Sequence, residues 1–93
     1  MVPGLTTHAK TRMQQRGIPE AALDALLDHG RAAHAHRGAE ILYFDKRARE
    51  RLARERGESE AKRLERFLST YVVIGGDGEI RTVGHRHHRL PHR

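Results

Sequence analysis

Residues 81–93 read "RTVGHRHHRLPHR" and hold four of the chain's eight histidines, interleaved with arginines. Imidazole titrates near pH ~6.5, so it can pass a proton at neutral pH or ligate a metal. His85 and His87 lie two apart, as do His34 and His36, and on a strand each pair points to one face and offers two nitrogen ligands. The rest of a metal site is missing. The chain has no cysteine to close a structural zinc site, and no third ligand stands at a defined spacing. Neither a metal nor any other cofactor is expected.

Proton transfer without a metal is the stronger chemical reading. His8, Arg12 and Arg16 share fourfold spacing and form a stripe along one side of a helix, and His85 stands beside Arg86 near the other end of the chain. Two imidazoles across one phosphate can act as base and acid while a guanidinium stabilises the charge that builds on phosphorus. The candidate catalytic residues are therefore His8, Arg12, His85 and Arg86. One histidine would take the proton from a ribose 2′-hydroxyl and the other would protonate the leaving 5′-oxygen; the spacing does not assign the two roles. Arg16, Arg81 and Arg89 extend the basic surface as candidate RNA contacts. A non-catalytic basic module that binds RNA or an acidic protein would use the same cations.

The composition agrees with an anionic partner. The 93 residues carry a net charge of +6, and 18 Lys and Arg, most of them Arg, favour bidentate pairing with phosphate. With 37% hydrophobic residues and no Trp, the chain can bury one small core. A single domain over 1–86 is expected, followed by a basic tail at 87–93 in which Pro91 cannot donate to a sheet. The longest apolar run, "YVVI", is too short to cross a bilayer, and nothing at the start reads as a signal peptide. A cytoplasmic location is the default. The aromatics Tyr43, Phe44, Phe67 and Tyr71 stand in apolar runs that suit a core, which argues against a base-stacking platform. The arginines of residues 46–66 are balanced by Glu50, Glu55, Glu58, Glu60 and Glu65, which discounts that segment as a binding face.

The elements that must position these groups are legible in the pattern. "TTHAKTRMQQRG" predicts a helix capped by Thr6 or Thr7, with Leu5, Ala9 and Met13 inward and Gly17 as the stop. "IPEAALDALLDHG" predicts a second, amphipathic helix ending at Gly30. "RAAHAHRGAEILYF" reads as two strands turning near Arg37 and Gly38. A charged helical segment follows from Asp45 to Arg66, broken or bent at Gly57, with Glu50–Arg54 and Glu58–Lys62 spaced for pairing. "GGDG" then joins two more β-rich runs. The expected fold class is α+β: two N-terminal helices, then a four-stranded antiparallel sheet with the charged helical segment between its two hairpins.

Three stretches, "HAKTRMQQRGI", "YFDKRARERL" and "VVIGGDGEIRTVGHR", resemble a small bacterial family called domain of unknown function 4258, across nearly the whole chain. That family is grouped with RelE-like ribonuclease folds of toxin–antitoxin systems. The resemblance implies metal-independent RNA cleavage, an acidic antitoxin as partner, and functional roles for His8, Arg12, Arg16, His85 and Arg86. The chain departs from a RelE-like toxin in lacking a lysine-rich active face and in ending with "HHRLPHR".

Overall fold

Thr6 opens the first helix as its side chain dictates, its hydroxyl accepting from the Ala9 N–H at 3.1 Å, a cap worth about 1 kcal/mol. The structure, a computed structural model, describes residues 5–85. Arg86, Arg89 and the tail expected at 87–93 lie outside the described residues. Helix α1 spans Thr7–Gln15 and ends where Gly17 turns left-handed at φ +65°. Helix α2 spans Glu20–His29, with Pro19 at its N-cap and Gly30 at its C-cap. Each apolar stripe then turns inward: Ala9 and Met13 from α1, and Ala22, Leu23, Ala25 and Leu26 from α2, are buried.

Four strands follow, β1 Arg31–His34, β2 Glu40–Tyr43, β3 Thr70–Ile74 and β4 Ile80–His85. They form one antiparallel sheet in the order β1-β2-β3-β4. The first hairpin connects through residues 35–39, where Arg37 (φ 59°, ψ 40°) and Gly38 (φ 76°), both left-handed, are the central pair of a tight turn closed by the Ala39 N–H on the His36 carbonyl. The charged segment between β2 and β3 divides where Gly57 adopts φ 90°, giving helix α3 Lys46–Arg56 and helix α4 Glu58–Arg63. Neither Glu50–Arg54 nor Glu58–Lys62 closes to an ion pair among the described residues. The pair formed on α4 is Glu60–Arg63 at 3.2 Å.

Register decides which side chains share a face. Thr70 is opposite His85, Tyr71 opposite Gly84 and Val72 opposite Val83, so residues 70, 72, 83 and 85 point one way and 71 and 84 the other. Val72 and Val83 are fully buried against Leu23, Leu26, Phe44 and Leu52, so the first direction is the helix side. Helix α2 lies over β2 and β3, α1 lies along β4, and α3 docks on α2. Two guanidiniums hold that last contact: Arg56 Nη2 donates to Asp28 Oδ2 at 2.6 Å and its Nε to His29 Nε2 at 3.2 Å, while Arg51 Nη2 donates to the His29 carbonyl at 2.9 Å. The α+β class and the placement of the helical segment between the hairpins are as the sequence pattern predicts. No helix among the described residues is long and apolar enough to cross a membrane.

Candidate nucleic-acid interface

Helix α1 runs in the same direction as β4, and this fixes where its cations fall. The Thr6 N–H and hydroxyl both donate to the Ile80 carbonyl, at 3.2 and 2.9 Å, and Leu5 bridges Ile80 in parallel, so the start of α1 is tied to the start of β4. Arg16, at the C-cap of α1, reaches the other end: a Cβ on Gly84 would overlap its guanidinium and press on the Tyr71 ring and hydroxyl. Gly84 and Tyr71 share the sheet face opposite the one on which Val72 and Val83 meet the helices, so the long Arg16 side chain wraps round the β4 edge at the β4 position without a side chain. Tyr71 is half-buried there and Tyr43, its neighbour in register, is buried outside the main core cluster. Tyr71 therefore departs from the core role its apolar run suggests. Beside it, Ala33, Ile41 and Val73 form a half-exposed apolar row on the same face.

The charge at this corner is uncompensated. Neither Arg12, half-buried, nor Arg16, exposed, has a carboxylate within ion-pair distance among the described residues, and residues 5–19 contain no Asp or Glu. A planar fork held beside a phenol is suited to a phosphate oxygen pair. Arg81, expected as an RNA contact, is engaged within the chain. Its Nη2 donates to Asp77 Oδ2 at 2.5 Å, and its guanidinium lies where a Cβ on Gly75 would fall, so it braces the β3–β4 hairpin. The Asp77 carboxyl is held below the ordinary carboxylate range, first by the Glu79 N–H that donates to it at 3.0 Å and further by the Arg81 charge.

The two candidate catalytic histidines are not brought together. His8 is exposed on the first turn of α1, beside the tie to Ile80, whereas His85 closes β4. Eight residues of helix, about 12 Å of rise, separate His8 from Arg16, the residue that does reach the neighbour of His85. His85 is half-buried on the helix side of the sheet, and its Nδ1 is 3.2 Å from Ser69 Oγ, which leaves Nε2 for another partner. Opposite it, the Thr70 hydroxyl is fully buried with no hydrogen-bond partner among the described residues. His34 and His36, the other pair weighed as metal ligands, are exposed, and among the described residues no cluster of three metal-ligating side chains forms.

The charge of residues 46–66 is unevenly divided along the segment. Gly57 separates α3, with Lys46, Arg47, Arg49, Arg51, Arg54 and Arg56 against Glu50 and Glu55, from the more acidic residues that follow. Of the glutamates that balance the segment, Glu50 and Glu55 lie on α3, Glu58 and Glu60 on α4, and Glu65 in the turn after it. The signal that could have revealed this was the glycine itself, read as a break in charge bookkeeping as well as in the helix.

Comparison of the chain with protein-family models, curated proteins and solved structures gives no match. The RelE-like reading therefore rests on the residues of this chain.

Proposed function

We propose that the domain binds RNA, with a backbone phosphate taken by Arg16 at the corner it forms with Tyr71 and Gly84, and with Arg12 adding charge along α1. The observation that carries this reading is a guanidinium with no ion pair among the described residues, laid over a glycine and beside a phenol hydroxyl. The guanidinium supplies paired N–H donors, the phenol a further donor, and the adjoining apolar row a surface for a ribose or base. A RelE-like toxin would present the same cations to an acidic antitoxin. The test is fluorescence anisotropy with a labelled single-stranded RNA: Arg16→Ala should weaken binding and flatten its salt dependence, and unchanged values for both would overturn the assignment.

A second reading, metal-independent ribonuclease activity of the toxin type, is favoured by the Ser69–His85 contact, which holds Nδ1 and leaves Nε2 to act on substrate. In this scheme His85 takes the 2′-hydroxyl proton and the 2′-oxygen bonds to phosphorus. The phosphorus–5′-oxygen bond breaks, the leaving oxygen takes a proton from solvent, and a 2′,3′-cyclic phosphate remains. His8, at the far end of α1, has no part in it. Incubation with labelled RNA in chelator decides the matter. Cleavage abolished by His85→Ala and kept in His8→Ala supports this scheme, loss of turnover in both restores the two-histidine relay, and no cleavage by the wild type leaves a binding module.

A further inference from the structure

Helix α3 opens against the electrostatic preference of helices. Lys46, Arg47 and Arg49 crowd its first turns, where the macrodipole favours acids, and no acidic residue stands in its first turn. Asp45 caps the helix through the Ala48 N–H at 2.8 Å and offsets part of that charge. The inner cations are accounted for: Arg51 and Arg56 fasten α3 to α2. The outer ones are not. Lys46, Arg47, Arg49 and Arg54 are exposed and form no ion pair within 4 Å among the described residues, although Glu50 lies four residues from both Lys46 and Arg54. Ala48 and Leu52 are buried on the opposite side, so these four cations ring the solvent face.

We propose that the outer face of α3 is a second RNA-binding surface, so that the ligand of this domain is an RNA long enough to engage α1 and α3 together. The inference rests on the RNA-binding reading above and extends it from one corner to a second helix. Helix α1 lies on β4 and α3 docks on α2, which lies over β2 and β3, so the two basic surfaces belong to different helices of the layer. With neighbouring helix axes ~8–10 Å apart and a stacked rise of ~3.4 Å per nucleotide, an RNA that engages both is longer than a trinucleotide. A trinucleotide can occupy the Arg16 corner alone. Three of the four outer cations are arginines, whose forks match phosphate oxygens, which favours a nucleic-acid backbone over the carboxylates of an acidic protein.

The experiment compares the full-length wild type, the quadruple variant Lys46→Gln, Arg47→Gln, Arg49→Gln, Arg54→Gln, and the double variant Arg12→Gln, Arg16→Gln. Each is titrated with the trinucleotide UpUpU, with a 30-nucleotide oligouridine and with polyglutamate. The quadruple variant is expected to bind UpUpU as the wild type does and to lose at least about tenfold in affinity for the 30-mer, with a log–log salt slope shallower by about 3 for four lost phosphate contacts. Its melting temperature should hold or rise, because the substitutions relieve the first turns of α3. A 30-mer bound with unchanged affinity and slope by the quadruple variant, but weakly by the double variant, overturns the α3 surface and leaves the Arg16 corner standing. No binding of either RNA by the wild type overturns both. Binding of polyglutamate alone, sensitive to the α3 changes, would assign the face to an acidic protein and also overturn the proposal.

Discussion

Strand β4 carries the same device at both of its ends: an arginine guanidinium lying over a glycine. At the start of the strand Arg81 covers Gly75 and is paired with Asp77; at the end Arg16 covers Gly84 and has no carboxylate among the described residues. The first arrangement is closed. Its charge is neutralised, its carboxylate accepts a backbone N–H, and the two hairpin turns meet there, with Gly76 against the Arg37 and Gly38 carbonyls. The second is open, with a half-buried tyrosine, a histidine held through one ring nitrogen and an orphan threonine hydroxyl close by. The packing is alike at the two ends, and the partner charge tells them apart. A compensated arginine braces a turn, while an uncompensated one is available to a ligand.

The largest expected effect comes from emptying the open end. Arg16→Ala removes one charge-assisted contact worth about 1.5–3 kcal/mol, or roughly ten- to a hundredfold in RNA affinity. Gly84→Ala should reproduce most of that loss by a different route, since its methyl displaces the flexible end of Arg16 and leaves the strand in place. Arg81→Ala, by contrast, should lower the melting temperature and leave affinity near wild type. Equal losses of binding from Arg16→Ala and Arg81→Ala would erase the distinction between the two ends.

Next in size is a stability test at the open end. Thr70 is fully buried, and its hydroxyl gave up water without gaining a partner among the described residues. Thr70→Val keeps the shape and removes the unsatisfied group, so it should stabilise the fold by about 1 kcal/mol in a denaturant titration. A loss of stability would mean that the hydroxyl is satisfied in solution. At the closed end, Arg37 pays for a left-handed backbone at φ 59° without a side chain suited to it. Arg37→Asn creates the Asn-Gly pair that two-residue hairpins favour and should add about 0.5 kcal/mol. No change in RNA binding is expected from it.

The elements were largely legible because each rests on local chemistry. Thr6, Gly17, Gly30 and Gly57 mark helix ends, the spacing of Leu23 and Leu26 gives the buried stripe, and "GGDG" announces the second hairpin. The site was legible only as an inventory of residue types. Whether His8 meets His85 depends on the direction of α1 relative to β4, and that direction is set by the tie from Leu5 and Thr6 to Ile80, more than seventy residues away in sequence. The contact of Arg16 with Gly84 is equally non-local, and no periodicity within either segment announces it. Arg81 looked like its neighbours in the basic stretch, yet Asp77, four residues earlier in the turn, had the reach to claim it.

The smallest effect, and the sharpest for the closed end, is in acid. The Asp77 carboxyl titrates below its ordinary value near 3.8, held there first by the Glu79 N–H and then by Arg81. A depressed folded value means that the native hairpin binds the proton less readily than the unfolded chain does, so its contribution is fully present above the unfolded value and fades as pH falls through the folded one. Asp77 is solvent-exposed, so the contribution is modest and sensitive to salt. Asp77→Asn cannot be ionised and only partly replaces the acceptor. Its melting temperature should lie slightly below wild type at neutral pH, and the gap should close in strongly acidic solution, where both side chains are neutral. Raising the salt at neutral pH should narrow the gap as well, since it screens the Arg81 charge without breaking the backbone hydrogen bond. A gap that is the same at every pH would mean that Asp77 braces the turn through shape alone, and the contrast between the two arginines would then lose its electrostatic basis.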